Sequence, residues 1–352
     1  YEIIQKMARD NKAIDNITLM TEAYDFITEL GGPAYIMDLE TKGNTEHFET
    51  YERELISEYK ERTTEKVVKE WLAGDKKDRR LLIDEIERIE DEGETEEVDI
   101  INLLAELHDE VNRPVSNIVT GIPSGIDGLD TLTSGWQPET SIILGARPSM
   151  GKTALMLKFA LSAAMNGDVP IIFSLEMSAK SLLRRMATAL GNINGFEARN
   201  PQNMQPSNQK RWTEAVGQLS NFDFEIYDNS FQTIQYIRSK VRKAQKKYKN
   251  KRIIAMIDYL TLIENAGNFT SDHAKYSDVS RKLKALAKDY HIPVITLAQL
   301  SRGVEQRADK RPLPSDLRES GSIEQDADII MLLYRESYYN KDYEYPNELE
   351  IN

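Results

Sequence analysis

The chain has 352 residues, enough for about two or three domains, and its 40% hydrophobic and 29% charged residues are typical of a globular protein. It contains no Cys, which excludes disulfides, thiolate zinc sites and cysteine nucleophiles, and its four His are too scattered to form a metal-binding pair. Because the sequence has neither a bilayer-spanning apolar run nor a signal-peptide pattern, we expect a cytoplasmic protein with no membrane partner.

The net charge of −13 is unevenly distributed along the chain. Residues 1–118 contain 15 Lys and Arg against 31 Asp and Glu, whereas residues 119–352 contain 30 against 27. This asymmetry indicates two regions with different partners. The acidic total does not exclude binding to nucleic acid, because a few basic groups can line one channel or loop.

The first region has a helical pattern. Apolar residues recur at three-to-four spacing in ITLMTEAYDFITEL, in TYERELISEYKERTTEKVVKEWLAG and in DRRLLIDEIERIEDEG, with a Gly-Gly-Pro break at residues 31–33. We predict a small helical domain over residues 1–95 that finishes in a helical hairpin. Since the chain begins with Tyr1, we expect this domain to be incomplete at its start.

The segment of residues 96–118 is predicted to be a linker that contains one amphipathic helix, EVDIINLLAELHDEVNRP. A lone amphipathic helix must bury its apolar face. Two alternatives remain open at this point, packing on its own chain and docking on a neighbouring subunit.

From residue 119 to residue 352, short runs rich in Val, Ile and Leu alternate with helical segments. The strand-like runs are SIIL, PIIFSL, FEIY, RIIAMID, IPVITLA and ADIIMLLY. Continuous apolar strands separated by helices predict an α/β domain with a parallel sheet flanked by helices on both faces. Ligands of such sheets lie at the carboxyl ends of the strands.

The stretch SIILGARPSMGKT at residues 141–153 matches the phosphate-binding pattern G-x-x-x-x-G-K-[ST], except that Ala146 stands at the first glycine position. In such a loop, backbone N–H groups wrap the phosphates, the lysine reaches the outer phosphates and the Ser/Thr hydroxyl holds Mg²⁺. Alanine is tolerable at the first position if its φ is negative, with Gly145 beside it to relieve crowding. The alternative is a chance match at a helix start. The predicted nucleotide-binding residues are Arg147, Pro148, Ser149, Met150, Gly151, Lys152, Thr153 and Ala154.

Three further polar residues stand at the ends of predicted strands. Asp258 closes RIIAMID, where a carboxylate would hold Mg²⁺ together with Thr153, and a turn or helix-capping Asp is the alternative. Glu176 follows PIIFSL, where it would polarise the water that attacks the γ-phosphate, and a glutamate favoured by a helix N-terminus is the alternative. Gln299 ends IPVITLA, where an amide would sense the γ-phosphate, although surface glutamine after a strand is common. Together with the P-loop they predict an NTP hydrolase.

The loop after Gln299, SRGVEQRADKRPLPSDLRESGS, is long and rich in basic residues, namely Arg302, Arg307, Lys310, Arg311 and Arg318. Long loops in compact domains are usually functional, and arginines there would grip a phosphodiester backbone without reading bases. Because acidic residues interleave with them, a solvated loop of mixed charge is the alternative. We interpret the denser basic run RSKVRKAQKKYKNKR, residues 238–252, as the solvated outer face of a helix.

These motifs together resemble those of the DnaB-type replicative DNA helicases. TGIPSGIDGLD, ARPSMGKTALM, FSLEMS, IDYLTLI, LAQLSR and DLRESGSIEQDADIIMLLYR occur in the family's order and spacing, from Thr120 to Arg335. The form ARPSMGKT is the family's own, and DLRESGSIEQDAD is more specific than the P-loop itself. The segment ITLMTEAYDFITELGGPAYIMDLE also resembles the family's N-terminal domain, and the whole is compatible with a phage-encoded member in an infected bacterial host.

The resemblance implies a RecA-like ATPase domain, a helical N-terminal collar domain and a ring-shaped homohexamer that moves 5′ to 3′ along single-stranded DNA. It implies ATP and Mg²⁺ as cofactors, and primase and a helicase loader as partners. The helix near residues 98–110 would dock on the adjacent subunit, and the helical hairpin would pair with a neighbour's.

The resemblance also assigns roles to individual residues. Lys152 and Thr153 would bind nucleotide and Mg²⁺, and Asp258 would be the Walker-B acid. Glu176 would be the catalytic base and Gln299 the γ-phosphate sensor. The residues that match the family's DNA-binding loop are Arg318, Glu319 and Gly321.

One departure from the family concerns the end of the chain. The family completes each ATP site with a Lys-x-Arg finger from the neighbouring subunit, on a strand just beyond Asn352, and NELEIN has the pattern of that strand's beginning. We therefore expect the domain of residues 119–352 to be truncated before its final strands. These residues alone should turn over ATP slowly, because an arginine in trans contributes about three orders of magnitude or more.

Two other functions remain open on the sequence alone. The first is a RecA-like recombination or repair ATPase, which would not need the helical collar domain. The second is an ATP-gated scaffold that recruits primase and rarely hydrolyses ATP, which would not need Glu176 as a base.

Overall fold

The computed structural model describes residues 48–74, 100–112, 119–230, 232–258, 272–317 and 320–352, with eight single positions between residues 18 and 89. The chain divides into two compact units, Tyr1–Glu97 and Val98–Asn352. Most of ITLMTEAYDFITEL and DRRLLIDEIERIEDEG and all of the Gly-Gly-Pro break lie outside the described residues. The positions that are described in those two segments are helical, as predicted.

Helices α1 and α2 belong to different units. Helix α1 spans Phe48–Ala73, which confirms the helix predicted there, and its described side chains are exposed or half-buried. Helix α2 spans Ile100–Asn112 and confirms the amphipathic helix of the predicted linker. Among the described residues, no helix is both long and apolar enough to cross a membrane.

The second unit is built on a sheet whose described strands follow the order β3-β2-β4-β5-β1-β6-β7. They span Ser141–Ala146 (β1), Val169–Ser174 (β2), Glu225–Tyr227 (β3), Ile253–Asp258 (β4), Val294–Gln299 (β5), Ile329–Tyr334 (β6) and Glu350–Ile351 (β7). All neighbours pair in parallel except β6 and β7, which pair antiparallel. The predicted parallel sheet is confirmed.

Helices connect these strands in the alternation that the sequence predicts. They span Asp127–Thr133 (α3), Lys152–Met165 (α4), Ala179–Leu190 (α5), Pro206–Ser220 (α6), Ile234–Lys247 (α7), Asp272–Asp289 (α8), Ser320–Asp326 (α9) and Glu336–Tyr339 (α10). Sequence analysis missed α6. That helix buries only Ala215 and Leu219, so its apolar periodicity is weak, although its proline at the first position is a typical helix start.

Two hydrophobic cores cover the two faces of the sheet, because side chains alternate along each strand. Ile142 and Leu144 of β1 join the core that packs against α4, α5 and α6. Ile143 joins the opposite core, against α7, α8 and α9. In the first core, Phe159 of α4 meets Trp136 edge to face, with 5.0 Å between ring centroids. The sheet is thus a rigid support for the loops at its carboxyl edge.

The basic run of residues 238–252 forms the outer side of α7 and the turn that follows. Four of its cations pair with carboxylates of the same unit: Arg238 with Asp289 at 2.9 Å, Lys247 with Glu225 at 3.0 Å, Lys251 with Asp223 at 2.6 Å and Arg252 with Asp168 at 2.8 Å. The interpretation of this run as a helix face is confirmed.

Candidate active site

The loop between β1 and α4 carries the phosphate-binding pattern. Ala146 is the last residue of β1, lies opposite Gln299 of β5, and is not among the residues with positive φ. Ser149 and Gly151 do take left-handed conformations, with φ of 66° and 100°. Such turns of successive N–H groups form anion-binding concavities at helix N-termini. The left-handed conformation of Ser149 costs about 1 kcal/mol or more, as is common at functional sites.

Gly145 is required by packing just before this loop. A Cβ at Gly145 would lie 2.9 Å from a methyl of Leu332 and 3.1 Å from methyls of Leu300 and Leu317. The three leucines close over β1 because the glycine leaves them room. The predicted relief of crowding beside Ala146 therefore has a physical basis.

Thr153 and Asp258 meet at the carboxyl edge of the sheet. The Thr153 hydroxyl donates a hydrogen bond of 2.8 Å to Asp258 Oδ2. Asp258 is fully buried, and its Oδ1 has no hydrogen-bond partner among the described residues. A buried carboxylate oxygen without a partner is costly, so this oxygen suits a cation ligand. Within the described residues, no group of three or more His, Asp or Glu gathers around a metal position. A cation here would therefore need phosphate and water as further ligands.

Lys152 lies in the first turn of α4, close to two carboxylates. Burial lowers the pKa of the Lys152 ammonium, and the charges of Asp258 and Glu176 oppose this by raising it. The opposed effects show that Lys152 is partly removed from water and that both carboxylates lie near it. An ammonium in such a place interacts strongly with phosphate because solvent screens it little.

Glu176 lies in the bend after β2. Ser174, the last residue of β2, pairs in register with Asp258, so Glu176 follows the neighbouring strand end. The Ser174 hydroxyl donates to the Met177 carbonyl at 2.7 Å and accepts from the Met177 N–H at 3.1 Å. These bonds fix the backbone around Glu176, while its side chain remains exposed. Glu176 therefore stands beyond the strand end that neighbours Asp258.

Gln299 ends β5 and lies half-buried beside the P-loop. Arg147, Gln299 and Arg302 line a common cleft with the backbone between them. Since β2, β4, β5 and β1 are adjacent in that order, Glu176, Asp258, Gln299 and the P-loop stand at four neighbouring strand ends. The sequence-predicted candidates on these strands are thus brought together at one edge.

Two basic residues of the loop after Gln299 already form ion pairs within the protein. Arg307 forms a two-bond fork with the buried carboxylate of Asp316, at 3.0 and 2.7 Å. Arg311 forms a similar fork with Glu350, at 2.9 and 2.7 Å. Short helical turns at Arg302–Gln306 and Pro314–Asp316 order the loop further. Arg302 is exposed and has no ion pair with another described residue. Arg307 and Arg311 therefore serve the loop's own structure.

The predicted DNA-binding residues Arg318 and Glu319 lie outside the described residues. Gly321 lies in the first turn of α9, which packs on the core through Ile323.

Two contacts around the site had no sequence signal. The Asp228 carboxylate, after β3, accepts the Ala179 N–H at 2.8 Å and so anchors the start of α5 just beyond Glu176. Arg147 was predicted to bind nucleotide, but its side chain donates to Glu305 Oε1 and to the Leu300 carbonyl, each at 2.9 Å. Arg147 and Glu305 are 158 residues apart, and only the pairing of β1 with β5 brings them together.

A P-loop that leads from a buried parallel strand into a helix, with an acidic residue at a nearby strand end, defines a RecA-like P-loop NTPase core. The sequence profile of the family described as DnaB-like helicase C terminal domain matches residues 121–352. The chain is 37% identical to the replicative DNA helicase DnaB of Geobacillus stearothermophilus and 36% identical to the replicative DNA helicase DnaC of Bacillus subtilis (strain 168). Each comparison covers the whole chain and 80% of the relative.

A solved structure agrees with these relatives. A DnaB-like replicative helicase, determined with its interactions with primase, matches with a TM-score of 0.74 at 34% identity, over 99% of this chain and 84% of that one. The chain therefore belongs to the family of DnaB-like replicative DNA helicases, which are NTP-hydrolysing enzymes. The predicted family, fold and helicase function are confirmed.

Proposed function

We propose that this helicase uses ATP and Mg²⁺ to move 5′ to 3′ along single-stranded DNA and to unwind duplex at the replication fork by excluding one strand from its channel. The observation that carries the nucleotide part is the bond between Thr153 and the buried Asp258, directly below the P-loop. The direction of movement rests on the resemblance to the family.

The proposed chemistry divides among the residues at the four strand ends. Backbone N–H groups of residues 149–154 wrap the phosphates, and the Lys152 ammonium binds the outer ones. Glu176, exposed at the mouth of the site, accepts a proton from the water that attacks the γ-phosphate. Gln299 donates its amide to the γ-phosphate and loses that bond after hydrolysis. Hydrolysis thereby removes a bond next to Leu300, where the following loop begins.

Thr153 and Asp258 would hold Mg²⁺. The free lone pairs of Asp258 Oδ1 and the hydroxyl beside Oδ2 fit a hard cation that prefers oxygen ligands. When bound, Mg²⁺ neutralises charge on the phosphates. Asp258 also keeps the Thr153 hydroxyl oriented toward the phosphate side of α4.

For DNA we propose the loop that ends at α9, with Arg318, Glu319 and Gly321 as the binding residues. Arginine side chains and backbone N–H groups there would grip phosphates without reading bases. The forks Arg307–Asp316 and Arg311–Glu350 support this assignment indirectly, since they occupy two other cations of the same loop. Arg302 is exposed and has no ion pair with another described residue, so it is available for a further phosphate.

For the assembly we propose a homohexamer in which α2 docks on the neighbouring subunit. Ile100, Leu104 and Leu107 lie at i, i+4 and i+7 on α2 and are 66%, 60% and 57% exposed. A helix with such an exposed apolar stripe is marginal by itself in water. It gains stability only if another surface covers the stripe.

The second unit offers a groove of matching chemistry that runs along α4 and α5 and the segment after α5. It has a volume of about 1190 Å³, larger than a usual small-molecule pocket, and Met165 and Phe196 expose apolar surface there. Its basic residues are Lys158, Arg184, Arg185 and Arg199. The acidic residues of α2 are Glu106, Asp109 and Glu110, and α2 has no Lys or Arg. Apolar surface and opposite charges on α2 and in the groove suit docking between copies.

The domain organisation that we propose is a helical collar domain of residues 1–95, a linker of residues 96–118 and a RecA-like motor domain of residues 119–352. The exposed side chains of α1 support pairing of the helical hairpin with a neighbour's. Primase and a helicase loader are the proposed partners, as in a primosome. The similar helicase whose structure was determined with its interactions with primase supports the first of these.

The test is strand release from a forked duplex with a 5′ single-stranded tail, in ATP and Mg²⁺, by the wild type, Lys152→Ala and Glu176→Gln. We expect release by the wild type alone, and loss of release when the 5′ tail is removed. Glu176→Gln should lower ATP turnover by about two to four orders of magnitude with nucleotide binding retained. Unchanged turnover in Glu176→Gln would contradict the catalytic assignment. DNA-stimulated hydrolysis without strand release would contradict unwinding by this helicase on its own and would favour dependence on a loader.

A further inference from the structure

The Arg147 side chain ties the P-loop to the loop that follows the proposed sensor. The side chain is only 10% exposed, and it donates from Nη1 to the Leu300 carbonyl and from Nε to Glu305, each at 2.9 Å. Leu300 is the residue after Gln299. A residue of the P-loop therefore holds the backbone next to the proposed γ-phosphate sensor. Charge-assisted bonds with little exposure to solvent are strong and weakly screened.

The loop of residues 300–317, here called the sensor loop, is built to move as one piece. Leu300 and Leu317 form an antiparallel bridge at its base, and the Ser301 N–H donates to the Asp316 carbonyl at 2.8 Å. The Asp316 carboxylate accepts from the Arg307 guanidinium and, at 2.7 Å, from the Leu313 N–H. These bonds lie inside the loop and cross its width. A displacement imposed at one end is therefore carried to the other.

The last residue of the sensor loop, Leu317, leads directly to the proposed DNA-binding residues. Leu317 precedes Arg318 in the chain, and Gly321 follows in α9. Arg147 thus bonds to the loop base at Leu300, just after Gln299, whereas Leu317, paired with Leu300 across the base, precedes the residues proposed to bind DNA. The bridge at the base joins the two ends of the loop.

A third side chain lies near Arg147 and Glu305. Tyr339 of α10 stacks on Tyr334 with 5.9 Å between ring centroids, and the Lys310 ammonium lies 4.6 Å above its ring. Burial raises the pKa of Tyr339, the Glu305 carboxylate raises it further, and the Arg147 guanidinium lowers it. The charges of Arg147 and Glu305 therefore lie near the Tyr339 hydroxyl. This hydroxyl is buried and has no hydrogen-bond partner among the described residues.

We propose that Arg147 and Glu305 form the link through which the nucleotide state of the P-loop sets the position of the sensor loop, and through it the affinity for DNA. Both are positioning residues, since neither needs to touch the reacting atoms. Phosphates in the P-loop fix its backbone and hence the Arg147 guanidinium, which holds the loop base through Leu300 and Glu305. Loss of phosphate releases that backbone, and the loop base moves with Arg147. The inference rests on the proposed function, because it needs ATP and DNA at these two places.

Thermodynamic linkage makes this link measurable. If the nucleotide state changes DNA affinity by some factor, DNA must change nucleotide affinity by the same factor. Typical coupling factors are about 5 to 150. We take the coupling factor as the ratio of affinities for a fluorescent single-stranded oligonucleotide in a non-hydrolysable ATP analogue and in ADP.

The experiment compares the wild type with Glu305→Ala, Glu305→Gln and Glu344→Ala. Glu305→Ala removes the acceptor, and we expect its coupling factor to fall toward one while nucleotide affinity without DNA stays within about two-fold. Glu305→Gln keeps an oxygen that accepts from Arg147 Nε and should restore most of the coupling. Glu344 is exposed, so Glu344→Ala controls for the loss of one negative charge and should keep the wild-type factor. Arg147→Lys is a second variant that should disrupt the link, since one ammonium does not reproduce the two guanidinium bonds of Arg147.

The outcomes separate this inference from the proposed function. A wild-type protein without DNA binding, or with a coupling factor of one, would overturn the proposed function. A coupled wild type in which Glu305→Ala and Arg147→Lys keep the full factor would overturn the link alone. Thermal denaturation identifies any variant that fails to fold. Since Glu305 lies on an exposed loop, we expect its variants to fold and to decide the question.

Discussion

The Thr153 hydroxyl bonds to the Asp258 carboxylate over 2.8 Å, although 105 residues separate them in the sequence. The bond joins the first turn of α4 to the end of β4, and the second carboxylate oxygen of Asp258 stays buried without a partner among the described residues. The free protein thus keeps an acceptor that no described residue uses. That acceptor gives the site a reason to bind a cation together with nucleotide.

Removal of either partner of this bond should abolish the effect of Mg²⁺ on nucleotide binding. We expect an ATP analogue to raise the thermal midpoint of the wild type more with Mg²⁺ than with EDTA, because tighter binding stabilises the folded state. In Asp258→Asn and Thr153→Val the two conditions should give the same shift. Thr153→Ser keeps the hydroxyl and is the matched control. A full Mg²⁺ effect in Asp258→Asn would show that the cation lies elsewhere.

The affinity for nucleotide should fall as the pH rises. This fall should occur at a lower pH than an ordinary lysine would give. Burial sets the pKa of Lys152 below its ordinary value of 10.5, and the ammonium is the form that binds phosphate. Affinity for ATP without Mg²⁺ should therefore fall as pH rises through the lowered pKa. Lys152→Arg keeps its charge throughout this range and should show a flat profile. A wild-type profile as flat as that of Lys152→Arg would contradict the lowered pKa.

The same shift has an opposite consequence for the stability of the free protein. The folded pKa of Lys152 lies below the unfolded pKa, so folding releases a proton between the two values. The contribution of Lys152 to stability therefore rises with pH across this window. Denaturant unfolding across this window should show the rise as a difference between wild type and Lys152→Arg, because the alkaline titration of other groups, such as Tyr227 and Lys247, is common to both.

Gly145 and Ala146 should respond to substitution in different ways. Gly145→Ala forces a Cβ against the buried ends of three leucines, and we expect a loss of about 1 kcal/mol, at the low end of overpacking costs because methyl groups can shift. Ala146→Gly restores the common form of the motif but places glycine in a buried strand. It should also cost about 1 kcal/mol, with no gain in nucleotide affinity. Denaturant unfolding and nucleotide titration measure both. Tighter binding by Ala146→Gly would show that the alanine strains the loop.

Much of this site follows from local patterns in the sequence, and the rest does not. The P-loop, Asp258 and Glu176 stand at or just after the ends of strands that apolar runs in the sequence predict. Parallel strands then bring their carboxyl ends to one edge of the sheet. The contact of Arg147 with Glu305 depends instead on the register of β1 against β5, which apolar runs do not specify. Helix α6 was missed because it buries few side chains. The ion pairs Arg307–Asp316 and Arg311–Glu350 could not be predicted, because acidic and basic residues alternate in this loop and the sequence does not show which of them pair.

Substitution of Arg318 should change the salt dependence of DNA binding, whereas substitution of Arg307 should change the stability of the fold. If Arg318 contacts one DNA phosphate, Arg318→Ala should lower the slope of log affinity against log salt by about 0.7 to 1 for single-stranded DNA. Arg307 is held by Asp316, so Arg307→Ala should keep the slope. It should instead lower stability by about 1–3 kcal/mol, because a buried carboxylate loses its partner. Equal slopes in wild type and Arg318→Ala would remove Arg318 from the DNA contacts.

Assembly should depend on the apolar stripe of α2 and on the basic groove. We expect Leu104→Asp with Leu107→Asp to abolish the hexamer in sedimentation experiments with nucleotide, since two charges would have to be buried. Leu132 is 86% exposed on α3 and does not line the groove, so Leu132→Asp is the matched control and should still form hexamers. A normal hexamer from the α2 variant would contradict docking between subunits.

A mixing experiment distinguishes docking on a neighbour from docking on the same chain. One protein carries the disrupted α2, and the other carries Arg184→Glu and Arg185→Glu in the groove. If α2 docks on a neighbour, the intact helix of the second protein binds the intact groove of the first. The reverse contact is disrupted in both partners, so the mixture should form pairs that cannot close a ring. If α2 covers the groove of its own chain, mixing should change nothing, because each defect stays within one molecule.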